Sequence, residues 1–328
     1  MSVVIAGLAL AAAPLVLLAL ALALPPSVPT TLQSLPGLGT LYLQLLRAAV
    51  RKGKVPKSLK GHKAVELRVT RPTRADPARY AAFLRLAGFD APPAALPLMY
   101  PIVESFRLSM LAMSHPAFPF NVLGSVLARN ATEAERAIAP DEALAYSVRI
   151  DPNYEKNDKG DIEIKIETTG TDAEGVAVWK NTLTVIVINP RRERGAGAKP
   201  AAAAAAAPAP RSPLASWSLP GDTGRRFGAL TGDRNPIHLY PLTAQLFGFK
   251  RPIAHALYLV ARLEASLANA GHAPSSYPAA FETEFKRPTA LPAKLQAVAA
   301  PGSKPLQCAV LTGDGAKEVI VGRLAGAK

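Results

Sequence analysis

Residues 252–270 read PIAHALYLVARLEASLANA, a mostly apolar stretch that predicts one long helix. Four short strand-like runs follow it, AAFETEFKR, AKLQAVAA, LQCAVLT and KEVIVGRLA, with Pro or Gly between them. TGRRFGAL, upstream, reads as a short helical turn. A single long helix followed by consecutive antiparallel strands is an α+β arrangement in which the sheet wraps the helix.

The same order of signals occurs earlier. RADPARYAAFLRLAGF (74–89) reads as a helix and PIVESFRLSMLAM (101–113) as a second, strongly apolar one. The strand-like runs VLGSVLA, ALAYSVRI, DIEIKIETT and WKNTLTVIVIN come next. The two halves also align residue by residue, Tyr100-Pro-Ile-Val-Glu-Ser-Phe with Arg251-Pro-Ile-Ala-His-Ala-Leu, and Phe83-Leu-Arg-Leu-Ala-Gly with Phe227-Gly-Ala-Leu-Thr-Gly. The sheets of the two halves can remain open and pair edge to edge, which would hide their exposed strands.

The 328 residues leave room for about two domains. The organisation expected is an apolar membrane anchor over 1–25, a basic Pro/Gly connector over 26–60 with a short helix near 41–50, a first repeat over 61–190, an Ala/Pro linker over 191–213 and a second repeat over 214–328. The anchor rests on residues 3–24, VVIAGLALAAAPLVLLALALAL, which carry no charge and are long enough for a transmembrane helix. No Lys or Arg precedes the run, as a signal peptide would require, and basic residues follow it. That asymmetry places the body on the cytoplasmic side. Between Arg47 and Arg85, twelve Lys/Arg stand against Glu66 and Asp76, which reads as a basic flank to the anchor. No nucleic-acid-binding module accompanies it. The single cysteine, Cys308, excludes an intramolecular disulfide and a thiolate metal cluster.

The chemistry concentrates in the second repeat. Residues 227–244 read FGALTGDRNPIHLYPLTA: an aromatic, Thr-Gly-Asp-x-Asn-Pro-aliphatic-His, and a small residue six positions on. Gly248-Phe249-Lys250-Arg251-Pro252-Ile253-Ala254-His255 and Phe285-Lys286-Arg287-Pro288 follow. Together these resemble the signature of MaoC-like, (R)-specific enoyl-CoA hydratases, over essentially all of 215–300. The resemblance implies two tandem hotdog folds behind the transmembrane helix, the first degenerate and the second catalytic. It also implies reversible hydration of a trans-2-enoyl thioester by Asp233 and His238, which would hold one water between them. Asn235 and Gly232 would shape the loop. The backbone N–H of Ala256, where the family usually has glycine, would face the thioester oxygen. A non-catalytic acyl-thioester-binding protein and a dehydratase dependent on acyl carrier protein are the alternatives.

His255 either joins the site or caps and packs the long helix. Lys286 and Arg287 either reach CoA phosphates or form a solvated strand end. The apolar residues of the first long helix, Phe106, Leu108, Met110, Leu111 and Met113, read as core before acyl channel. No metal or redox cofactor is expected, since ligand clusters and Gly-rich phosphate loops are missing from the sequence. The expected partners are an acyl-CoA or carrier-protein thioester, the membrane through the N-terminal segment, and a second copy of the chain.

Overall fold

The computed structural model describes residue 24 and residues 27–52, 55–56, 58–121, 125–189 and 210–327. The first half contains helices α1 (Leu38–Arg51), α2 (Pro77–Ala87) and α3 (Tyr100–Ser114). Its strands are β1 (Thr31–Leu32), β2 (Val65–Val69), β3 (Thr73–Arg74), β4 (Val126–Ala134), β5 (Ala143–Ile150), β6 (Glu155–Lys156), β7 (Ile162–Thr171) and β8 (Ala177–Val187). The second half contains β9 (Ser212–Leu219), α4 (Thr223–Thr231), α5 (Pro241–Gln245), α6 (Ala256–Asn269), β10 (Ala279–Phe285), β11 (Ala293–Ala300), β12 (Leu306–Thr312) and β13 (Glu318–Ala325).

The strands form one 13-stranded sheet whose main path runs β1-β2-β5-β7-β8-β4-β10-β13-β12-β11-β9. Apart from the parallel β1–β2 pair, neighbours on this path are antiparallel. The halves meet where β4 pairs with β10, from Ala134↔Ala279 to Arg129↔Glu284. Strand alternation is clean in β2, whose residues are in turn buried and exposed, as expected for a sheet with one face on a core. Helix α3 packs on β2, β5 and β7, while α6 packs on β9, β11 and β12. Leu257, Leu259, Val260, Leu263 and Leu267 of α6 are all buried. Each such side chain stabilises the fold by roughly 1.5–3 kcal/mol.

The expected fold is corrected here. The chain is a mixed α+β, hotdog-like fold built on one large sheet, and the transmembrane helix does not stand as part of it. No helix among the described residues is long and apolar enough to cross a membrane. The stretch expected as the anchor, 1–25, lies outside the described residues except for Leu24. The membrane contact inferred from it is withdrawn with it. The stretch expected as connector contains α1, a full helix packed on α3.

The repeat is visible in the helix ends. Gly88 and Gly232 both occupy left-handed backbone, with φ of 83° and 79°, and close α2 and α4 in the same way. The alignment of Glu104 with His255 is not upheld. His255 is the residue before α6, whereas Glu104 lies within α3, where Met99 precedes the helix.

The two central helices are tied by a buried carboxyl. Glu264 of α6 accepts from the N–H groups of Leu98 (2.5 Å) and Met99 (3.1 Å), at the entry to α3. The indole of Trp179 donates to the carbonyl of Leu98 at 2.9 Å, so that peptide is held from both sides. Burial pushes the Glu264 carboxyl up to about 7. A raised folded-state value means that this group's stabilisation is full below the ordinary carboxyl range and is lost as pH rises through about 7. Glu264→Gln retains an oxygen acceptor without the charge. Urea unfolding at a series of pH values is expected to show the variant gaining on wild type by up to about 3 kcal/mol between mildly acidic and mildly alkaline pH. A constant difference would contradict the buried-carboxyl assignment.

Candidate active site

The loop after α4 is organised by short-range hydrogen bonds. The Asp233 N–H donates to Thr231 Oγ1 (3.0 Å), and the Asn235 N–H donates to Asp233 Oδ1 (3.0 Å). The side chain of Asn235 then accepts from the Ile237 N–H at 3.5 Å and caps the 3₁₀ turn Pro236–His238. Pro236 stands at the start of this turn, where its missing N–H costs nothing. Gly232 supplies the positive φ that turns the chain out of α4.

This loop lies directly on α4. A Cβ on Gly224 would run into the carbonyl of His238, and one on Gly228 into the carbonyl of Asp233. Glycines four residues apart share a helix face, so the pair forms a groove for the loop. Arg79 of α2 braces it from behind, its Nε donating to Leu230 O at 2.8 Å and its guanidinium also reaching Val103 O at 3.0 Å.

Asp233, His238 and His255 come together, each offering an atom within 4.8 Å of the other two. His238 Nδ1 lies 2.8 Å from the carbonyl of Ile253. A carbonyl only accepts, so Nδ1 carries the hydrogen and Nε2 keeps its lone pair. His255 Nε2 lies 3.1 Å from the Asp233 carbonyl and 3.6 Å from its carboxylate Oδ2. Its Nδ1 is buried without a hydrogen-bond partner. The two imidazoles stack with centroids 3.7 Å apart and planes at 25°.

Burial dominates the electrostatics. It raises the Asp233 carboxyl, against the opposing pull of His238 and the Asn235 N–H. It lowers His238, with Asp233 and the Ile253 carbonyl acting in the other direction. It lowers His255 further, aided by the neighbouring His238. Asp233, His238 and His255 are also a group that could hold a metal ion.

These groups open into a cavity of about 580 Å³. Ala256, the first residue of α6, borders it. An N–H at that position has no acceptor within the helix. No residue other than glycine has a positive φ among the described residues, so alanine adopts this position without backbone strain. Its apolar lining includes Leu45 and Leu46 of α1, Phe106, Met110 and Met113 of α3, and residues of β4 and β8. Phe106, Met110 and Met113 therefore face the cavity, while Leu108 and Leu111 pack in the core. Lys286 and Arg287 also border it. Lys286 pairs with Glu284 at 2.6 Å, and Arg287 Nε donates to the Glu318 carbonyl at 2.6 Å.

Residues 206–321 match the family model of the MaoC like domain. The chain carries a MaoC-like domain. The 3-hydroxyacyl-thioester dehydratase X of Mycobacterium tuberculosis is 28% identical over 220 residues, which are 66% of this chain and 74% of that protein. The crystal structure of HtdX from the same organism superposes with a TM-score of 0.65 at 24% identity, covering 80% of this chain and all (100%) of that one. A MaoC-like dehydratase from Phytophthora capsici gives 0.60 at 14% identity, over 82% of this chain and 96% of that one. The MaoC-like chain is an enzyme of the hydratase/dehydratase type.

Several supports of the MaoC-like site were not singled out from sequence. Gly224 and Gly228 had a readable signal in their spacing of four on a short helix. Arg79 had none, because its acceptor lies 151 residues away. Gly→Ala inside a helix normally stabilises it by up to about 1 kcal/mol. Gly228→Ala is expected to reverse the sign, costing about 1–3 kcal/mol by urea unfolding because the new methyl displaces the Asp233 carbonyl. A stabilised variant would show that the loop does not rest on α4.

Proposed function

We propose that this MaoC-like enzyme catalyses reversible addition of water across the C2–C3 double bond of a trans-2-enoyl-CoA, forming the (R)-3-hydroxyacyl-CoA. The observation that carries the proposal is the placement of Asp233 and His238 together at the polar end of a long apolar cavity. A water making hydrogen bonds of about 2.8 Å to both groups fits between donor atoms at this spacing.

In the hydration direction, the water oxygen attacks C3 and gives up a proton to the pair. The π electrons move through C2 toward the thioester oxygen, and the pair returns a proton to C2. No group is consumed. Burial raises the Asp233 carboxyl and lowers the His238 imidazole, which brings their proton affinities toward each other. Closely matched affinities keep both proton transfers inexpensive. The Ala256 N–H, at the positive end of α6, is placed to stabilise charge on the thioester oxygen. His255 holds the Asp233 backbone and stacks against His238, which favours a neutral His238 with Nε2 available as an acceptor. Gly232 and Asn235 give the loop its turn and its cap.

The apolar walls favour an acyl chain running from the pair toward Met110 and Met113. The CoA moiety would leave past Lys286, partly neutralised by Glu284, and Arg287, which keeps its charge because its Nε partner is the backbone carbonyl of Glu318.

Asp233→Asn and His238→Asn are each expected to lower the rate of enoyl-CoA hydration by at least ~100-fold. Hydration followed by loss of the enoyl absorbance, with chiral analysis of the product, reads both activity and stereochemistry. Unchanged turnover in Asp233→Asn, or an (S) product, would overturn the proposal. Activity on the same acyl group attached to carrier protein but not to CoA would overturn the carrier assignment alone. Met110→Trp is expected to raise KM for a long-chain enoyl-CoA by roughly tenfold and leave crotonyl-CoA little affected. Equal effects on both substrates would place the acyl chain elsewhere.

A further inference from the structure

Helix α1 lies outside the residues matched by the MaoC-like domain, yet it is clipped directly onto the reactive loop. The hydroxyl of Tyr42 donates to the Gly232 carbonyl at 2.5 Å. The same oxygen accepts from the Arg234 N–H at 2.7 Å. That carbonyl belongs to the peptide group before the Asp233 Cα, and that N–H to the peptide group after it. One hydroxyl thus fixes both peptide planes that define φ and ψ of Asp233, and with them the direction of its Cα–Cβ bond.

Two further contacts keep α1 in place. One turn before Tyr42, Leu38 packs against Gly232 so closely that a Cβ there would meet its Cδ2 at 2.7 Å. At the other end, Lys52 donates from Nζ to the carbonyls of His115 (2.8 Å) and Met113 (3.2 Å), at the C-terminal end of α3. Between these clips, Tyr42, Leu45, Leu46 and Ala49 form one wall of the cavity.

We propose that Tyr42 is a positioning residue of the hydration reaction, which aims the Asp233 carboxylate by holding the peptide groups on either side of it. The inference rests on the reading of Asp233 as half of the water-activating pair. Burial pushes the Tyr42 hydroxyl up to about 12, so it keeps the hydrogen it donates throughout the neutral range. Tyr42 does not touch the reacting atoms. Its action is geometric, and a misplaced catalytic group lowers the rate of the chemical step more than it lowers affinity.

The test compares Tyr42→Phe with Gln44→Ala in the full chain, using a trans-2-enoyl-CoA as substrate. Phenylalanine keeps the ring and removes both hydrogen bonds. Gln44 is buried elsewhere on α1, where its Oε1 accepts from the Ser27 N–H at 3.1 Å, so its loss loosens the helix without touching the loop. Tyr42→Phe is expected to lower kcat by roughly 10- to 100-fold with little change in KM. Gln44→Ala is expected to lower Tm but to keep kcat. Unchanged kcat in Tyr42→Phe overturns the inference. A loss of kcat in both variants that simply follows their loss of Tm also overturns it, because Tyr42 would then be structural only. If the wild-type chain hydrates no enoyl-CoA, or Asp233→Asn remains fully active, the functional reading fails and this inference fails with it. A working wild type, a dead Asp233→Asn and an unaffected Tyr42→Phe would sink the inference alone.

Discussion

The antiparallel pairing of β4 with β10 governs the architecture. Each of these strands would otherwise be the bare edge of a small sheet, with a row of unsatisfied N–H and C=O groups. Joining them removes both edges and makes one sheet of two. It also brings the layer holding α3 alongside the layer holding α6, with Glu264 of α6 reaching the entry of α3. The cavity depends on that proximity. Its Asp233, His238 and His255 belong to the second half, and its apolar walls come from both halves, with α1, α3, β4 and β8 contributing from the first.

The halves have consequently diverged within a common frame. Gly88 and Gly232 end equivalent helices with the same left-handed residue. After Gly232 comes a polar loop aimed at the cavity. After Gly88 the chain proceeds to Leu98 and Met99, whose amides are occupied by Glu264. One copy of the frame therefore presents polar side chains to the cavity, while the other supplies walls and an anchoring point for the opposite helix.

How far this was legible in the sequence depended on the range of the interactions involved. The loop after α4 could be read because its geometry is local: Gly232 turns the chain, Thr231 and Asn235 bond backbone within two residues, and Pro236 starts the short turn. The long helices could be read because burial leaves an apolar spacing. The repeat register misled because one dipeptide serves two purposes. Pro101 lies in the first turn of α3, whereas Pro252 precedes the isolated bridge of Ile253 with Ala290, ahead of α6. Helix α1 was shortened in the reading because Pro, Gly and Lys flank it, and its stability comes from packing on α3. The long apolar N-terminal run suggests a membrane span by length and composition alone, and it lies outside the described residues except for Leu24.

The hydrogen bonds of Tyr42 join residues 190 and 192 positions apart. Contacts this distant in sequence form late, because closing so long a loop costs entropy that only the surrounding structure can offset. On the proposed reading, competence for chemistry is therefore a property of the folded chain as a whole. A chain shortened past Tyr42 could contain every residue from Gly232 to His255 and still leave the Asp233 carboxylate free to swing. On the same reading, the onset of turnover reports on completed folding.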